Sequence, residues 1–224
     1  MSTPDMHSRI GADGGPHLRG RHPALLVIDP QAEAILTDGA LSADGASAAV
    51  ANITHLLEAA RSAPIPIIFT QEVHRRELVD FGRELDGAEP IHCLEGTPGV
   101  ELLPETRPRP GEWLIQKRRY SAFFATDLEL LLRGLGVDTL VVCGFLTDVC
   151  VHYTCVDAHQ RDYHLFVASD ATAGSSTQAS EAALRAVTYI QSGSVTDAGR
   201  IITALLSLPG TAVRSPAGSA GAPG

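Results

Sequence analysis

No run of eighteen apolar residues occurs in this chain, so no membrane-spanning helix is expected. The opening stretch, MSTPDMHSRIGADGGPHLRG, lacks the apolar centre of a secretory signal. Basic residues are in the minority, with 17 Lys and Arg against 26 Asp and Glu, for a net charge of -9. No basic stripe with interleaved aromatics is present either. Nucleic acid and anionic membrane are therefore not expected as partners. Cysteine is scarce: Cys93, Cys143, Cys150 and Cys155 form neither a CxxC pair nor a zinc-type spacing. Four cysteines are too few for a disulfide scaffold in a chain of 224 residues. No internal repeat is evident. These absences point to a soluble cytoplasmic protein in which free thiols persist.

What is present is apolar enough for a core, at 44% hydrophobic residues. One domain is the natural expectation for this length. Residues 1–22 are polar and rich in glycine and proline, and read as a flexible arm. Residues 208–224, LPGTAVRSPAGSAGAPG, read as a disordered tail. The folded domain is expected over 23–207.

Short apolar runs alternate there with helical patterns. Strands are predicted at Ala24–Asp29, Pro64–Thr70, Glu112–Lys117, Asp138–Gly144, Tyr163–Asp170 and, briefly, Gly193–Thr196. Helices are predicted at Ala46–Ser62, Thr126–Gly136, Asp148–Arg161, Ser175–Ile190 and Asp197–Leu206. Thr126 with Glu129 suggests a capping box, and Gly134 or Gly136 a stop. Near-continuous apolar strands separated by helices imply an α/β fold with a parallel sheet covered on both faces.

Ligands of such folds bind beyond the carboxyl ends of the strands. That rule brings Asp29, Lys117 and Cys150 to one rim, although they are far apart in sequence. Thr70, Gln71, Glu72 and His74 follow the second strand, and Asp170 ends the fifth. Cys150 falls in the first turn of a helix that Thr147 or Asp148 could cap. A thiolate is favoured there by the helix dipole and a nearby lysine. An aspartate within reach can move the thiol proton, and backbone N–H groups near Phe145–Cys150 can hold an oxyanion. The plainer alternatives are a buried packing cysteine, a turn aspartate and a solvated lysine. Packing is the expectation for Cys93, Cys143 and Cys155. His152 is not expected to serve Cys150, because side chains two apart on a helix do not face each other.

Four stretches carry a resemblance: ALLVIDPQ (Ala24–Gln31), IHCLEGTPG (Ile91–Gly99), QKRRYSAFFATDLELLLR (Gln116–Arg133) and VVCGFLTDVCVHYTCVDAHQRDY (Val141–Tyr163), continued by DATA at 170–173. They resemble the isochorismatase-like cysteine hydrolases over roughly Pro23–Ala204. The resemblance implies a three-layer α/β/α sandwich, Rossmann-like, with a mainly parallel six-stranded sheet. It implies a catalytic triad of Asp29, Lys117 and Cys150, a non-proline cis peptide at Phe145–Leu146, and an oxyanion hole from the Leu146 and Cys150 N–H groups. It also implies a homodimer or homotetramer. Cysteine-bearing members cleave C–N bonds in small amides and ureido compounds such as nicotinamide, N-carbamoylsarcosine, ureidoacrylate and biuret. Members that hydrolyse the vinyl ether isochorismate commonly lack this cysteine. The expected function is therefore a cofactor-free amidohydrolase. An isochorismatase-type vinyl ether hydrolase and a non-catalytic binding or assembly protein are the alternatives.

The chain also departs from that pattern. Nicotinamidase-like members hold a metal with an aspartate, a histidine two residues later and another histidine. Glu72 and His74 match the first two positions, but no histidine follows until His92, so no metal is expected. In TQEVHRREL (Thr70–Leu78), Arg75 and Arg76 suit a substrate carboxylate, or are plain solvated arginines. Gln71 is a candidate to orient an amide. Tyr120, Phe123 and Phe124 are candidate pocket walls, or core.

Overall fold

The computed structural model describes residues 10–11, 15–36 and 41–210. Six strands form one sheet: β1 (Pro23–Ile28), β2 (Ile67–Glu72), β3 (Trp113–Lys117), β4 (Thr139–Phe145), β5 (His164–Ala173) and β6 (Val195–Thr196). Their order is β3-β2-β1-β4-β5-β6, and every neighbouring pair is parallel. β1 and β4 are entirely buried, as their unbroken apolar runs require. Five helices cover the sheet: α1 (Ala46–Ser62), α2 (Leu128–Gly134), α3 (His152–Gln160), α4 (Thr177–Ile190) and α5 (Ala198–Leu206). None of the described helices is long and apolar enough to cross a membrane.

Strand alternation divides the core in two. Leu25 and Val27 of β1 pack with Ile53, Leu57, Ile201 and Leu205 of α1 and α5. Leu26 and Ile28 pack with Leu128, Leu132, Cys155 and Val187 of α2, α3 and α4. Each fully buried Leu or Ile contributes about 1.5–3 kcal/mol. Cys143 and Cys155 are wholly buried, one in each half of this core.

Several predicted boundaries move. β2 starts at Ile67 rather than Pro64, because Pro64 and Pro66 have no N–H for the ladder, and it runs on to Glu72. The Thr126 hydroxyl accepts from the Leu128 N–H, but Glu129 closes no capping box, pairing instead with Arg133 and Arg161. Neither Thr147 nor Asp148 caps the helix after β4. Asp148 accepts from the N–H and hydroxyl of Ser175, and one π-helical turn, Thr147–Val151, precedes α3. Part of the segment expected as an arm packs on the domain: Leu18 is in the core, and the His22 N–H donates to Asp138 at 3.0 Å. The remainder of the arm (1–9 and 12–14) and tail residues 211–224 lie outside the described residues.

The strand order reverses between β1 and β4, so a crevice opens beyond their carboxyl ends. Gly144 makes that junction tight. A Cβ there would sit 2.0 Å from the Ile28 carbonyl oxygen, and its φ of 118° is one that side chains rarely tolerate.

Candidate active site

Asp29 follows β1, Lys117 ends β3, and Cys150 lies in the π turn after β4. The register pairs Glu72 with Lys117 across β2 and β3, so their side chains share a face. The Lys117 ammonium lies 2.7 Å from Asp29 Oδ2, 2.7 Å from Glu72 Oε2 and 3.3 Å from Cys150 Sγ. All four side chains are buried. The thiol donates to Glu72 Oε2 at 3.3 Å, and an Asp29 carboxylate oxygen lies within 4.8 Å of the sulfur. Thr70 Oγ1 donates to Asp29 Oδ1 at 2.6 Å and accepts the Asp29 N–H, holding Asp29 at its positive φ. The cis peptide at Phe145–Leu146 is present.

The charges interact strongly. Burial raises the Asp29 carboxyl, and Lys117 only partly offsets it. Burial acts the same way on Glu72, but Lys117 and the two histidines outweigh it and hold Glu72 well below the usual range. Three neighbours (Asp29, the Cys150 sulfur and Glu72) hold the Lys117 ammonium charged against its burial. Burial pushes the Cys150 thiol well up; Lys117 opposes, while Glu72 and Asp29 add to it. These shifts favour a thiol beside a cation, with Asp29 the more easily protonated of the two carboxylates.

Asp29, Glu72, Tyr120, Leu146 and Cys150 line a cavity that also takes in Glu33, Glu89, His92 and Cys93. Tyr120 lies on the cavity wall and donates to Glu89 Oε2 at 2.9 Å. The other proposed substrate residues are elsewhere. Gln71 points to the opposite sheet face from Thr70 and Glu72, donating to the Val100 carbonyl and accepting from Gln116. Arg75 and Arg76 are exposed and do not line the cavity. Phe123 is core, with the Arg161 guanidinium 4.9 Å above its ring and Tyr163 beside it. Phe124 is 58% exposed. His152 stacks edge-on to Tyr153.

Sequence reasoning missed Gln31 as a brace. Its amide donates to the Glu72 and Val100 carbonyls and accepts the Glu72 N–H, fixing Glu72 to the loop after β1. Its place within the ALLVIDPQ stretch was the available signal.

The premise of an incomplete histidine set also needs correction. The His74 N–H donates to the Cys93 carbonyl, drawing the 91–95 segment beside β2, and His92 Nε2 comes within 3.7 Å of Glu72. Glu84, from the 3-10 turn Gly82–Asp86, lies 3.3 Å from His74 Nε2. Ligand atoms of Glu72, His74, Glu84 and His92 all lie within 4.8 Å of one another. Among the described residues, both Glu84 carboxylate oxygens and His92 Nε2 are buried with ion-pair contacts but no hydrogen bond. Two imidazoles and two carboxylates with orphaned atoms fit a divalent cation. In its absence the glutamates outweigh burial and raise His74 to about 9.

Known proteins bear on this geometry. An isochorismatase domain model matches residues 23–198. The ureidoacrylate amidohydrolase RutB of Agrobacterium fabrum is 30% identical over 177 residues, covering 69% of this chain and 77% of that protein. A probable inactive nicotinamidase of Arabidopsis thaliana is 34% identical over 166 residues, covering 71% and 85%. The structure of N-carbamoylsarcosine amidase from Thermoplasma acidophilum superposes with a TM-score of 0.66 at 28% identity, covering 79% of this chain and 96% of that one. The chain belongs to the isochorismatase family.

Proposed function

We propose that this chain is a cysteine-dependent amidohydrolase that cleaves a C–N bond of a small carbamoyl, ureido or carboxamide compound. It is a hydrolase of non-peptide C–N bonds, in keeping with its relatives. The observation that carries the thiol mechanism is the Lys117 ammonium held between Asp29 and the Cys150 sulfur.

Asp29, with a carboxylate oxygen within 4.8 Å of the sulfur, takes the thiol proton, and the sulfur attacks the carbonyl carbon. The Leu146 and Cys150 N–H groups are the donors assigned to the oxygen that becomes negative. Collapse of the adduct breaks the C–N bond, and Asp29 returns the proton to the departing ammonia or amine. Water then attacks the thioester with Asp29 as base, releasing the acid and restoring the thiol. Lys117 stays charged throughout and stabilises both the thiolate and Asp29. A divalent cation held by Glu72, His74, Glu84 and His92 would supply Lewis acidity beside the cavity. The same reading takes the chain as a homodimer or homotetramer, which light scattering measures.

The test is ammonia release from biuret, N-carbamoyl amino acids, ureidoacrylate-like acids, nicotinamide and simple carboxamides. Wild type is compared with Cys150→Ala, with and without a chelator. Turnover abolished by Cys150→Ala supports the mechanism. Turnover that survives the substitution sinks it, and exclusive hydrolysis of isochorismate replaces the function.

A further inference from the structure

Resting on the amidohydrolase reading, we infer that this cavity takes uncharged or cationic small amides and rejects those that carry a carboxylate. Asp29, Glu33, Glu72 and Glu89 line it, and among the described residues no arginine does. The charge of Lys117 is already engaged by Asp29 and Glu72. A cation in the neighbouring cluster would offset Glu72 and Glu84, but it leaves the Glu89 carboxylate in the cavity lining.

The arginines of the two adjoining loops are turned elsewhere. Asp80 gathers Arg118 at 3.1 Å and Arg75 at 3.9 Å, and the Asp80 carbonyl accepts from Arg119. The Arg76 guanidinium lies against Gly96, close enough that a Cβ there would meet Nη2 at 2.7 Å. Glu33 is seated by a glycine: a Cβ on Gly99 would fall 1.7 Å from its Oε2. Glu89 accepts from Tyr120, and a carboxylate with two oxygens has capacity for a further donor. A substrate N–H or ammonium satisfies that capacity, whereas a substrate carboxylate meets like charge in a site screened from water. Ureidoacrylate, named for the Agrobacterium relative, carries such a carboxylate, so the inference separates this chain from it.

Iodoacetamide and iodoacetate test the charge of the cavity at Cys150 itself, without any need for turnover. They are close in size and differ by one negative charge. Alkylation of Cys150 in the full chain is followed by peptide mass spectrometry, and each rate is divided by that of glutathione. The normalised preference for iodoacetamide is expected to be about tenfold or more. It should fall several-fold in Glu89→Gln and be the same before and after chelation. A ratio near one, or a preference for iodoacetate, overturns the inference. A ratio indifferent to Glu89→Gln, or present only after chelation, overturns the assignment to Glu89. Butyramide, 3-aminopropanamide and succinamate form the parallel substrate series. Turnover led by succinamate overturns the inference and leaves the amidohydrolase reading standing. No turnover of any amide, with the alkylation preference intact, removes that reading and leaves the charge selection.

Discussion

The Lys117 ammonium lies 3.3 Å from the Cys150 sulfur, within a buried knot that also holds Asp29 and Glu72. Removing the lysine leaves two carboxylates facing each other without a cation. Lys117→Met is expected to cost about 3–5 kcal/mol of stability, the usual penalty for breaking a buried pair. Turnover should fall by at least about a hundredfold. Thermal melting and kcat measure the two effects separately.

The Cys150 thiol should behave as a high-pKa group. Burial, with the Glu72 and Asp29 carboxylates, disfavours its anion against the help of Lys117. Its alkylation by iodoacetamide is expected to keep rising with pH beyond the ordinary cysteine value of about 8.5. Glu72→Gln removes a negative charge beside the sulfur, so its pKa drops and the rate at neutral pH rises. A wild-type rate that levels off near that ordinary value contradicts this account.

Divalent cation and proton compete for the same imidazoles. The folded His74 pKa of about 9 lies above its unfolded value of 6.5. Its imidazolium therefore stabilises the metal-free fold fully below the unfolded value, and that stability is lost as pH rises through about 9. Zinc or manganese needs the imidazoles deprotonated. The increase in melting temperature on adding metal should grow across this window and shrink in His92→Ala. A metal effect independent of pH would contradict the ligand set.

Arg61 on α1 grips Glu112, just before β3, at 2.7 and 3.0 Å, and the Arg109 N–H adds a third bond. Burial opposes ionisation of Glu112, but these partners outweigh it and hold its carboxyl below the ordinary value of 4.5. The pair's contribution is present above that value and lost as pH falls through the depressed one. Glu112→Gln should lower stability by about 1–2 kcal/mol at neutral pH and by less in acid, as read from denaturant midpoints.

Much of the site was legible from strand ends alone. Once ALLVID, EWLIQK and DTLVVC are parallel strands, Asp29, Lys117 and Cys150 must share the carboxyl edge. The errors came from side-chain direction and from loops. Gln71 lies between two site residues in sequence, yet the pleat sends it to the other face. Phe123 follows Lys117 closely, yet the turn carries it into the core beneath Arg161. His92 was set aside because it is eighteen residues from His74, a separation that a backbone hydrogen bond to the Cys93 carbonyl closes.

The sequence by itself determined the six-stranded α/β body, the meeting of Asp29, Lys117 and Cys150 at one edge, and the family. Apolar periodicity and strand-end position are local properties that the pattern of residues carries directly. Tertiary structure alone decided that Glu72 touches the Cys150 sulfur, that Glu84 and His92 complete a cation-sized cluster, and that, among the described residues, carboxylates rather than arginines wall the cavity. Those outcomes depend on loop paths set by long-range hydrogen bonds, such as those of Gln31 to Glu72 and Val100, which no local spacing encodes.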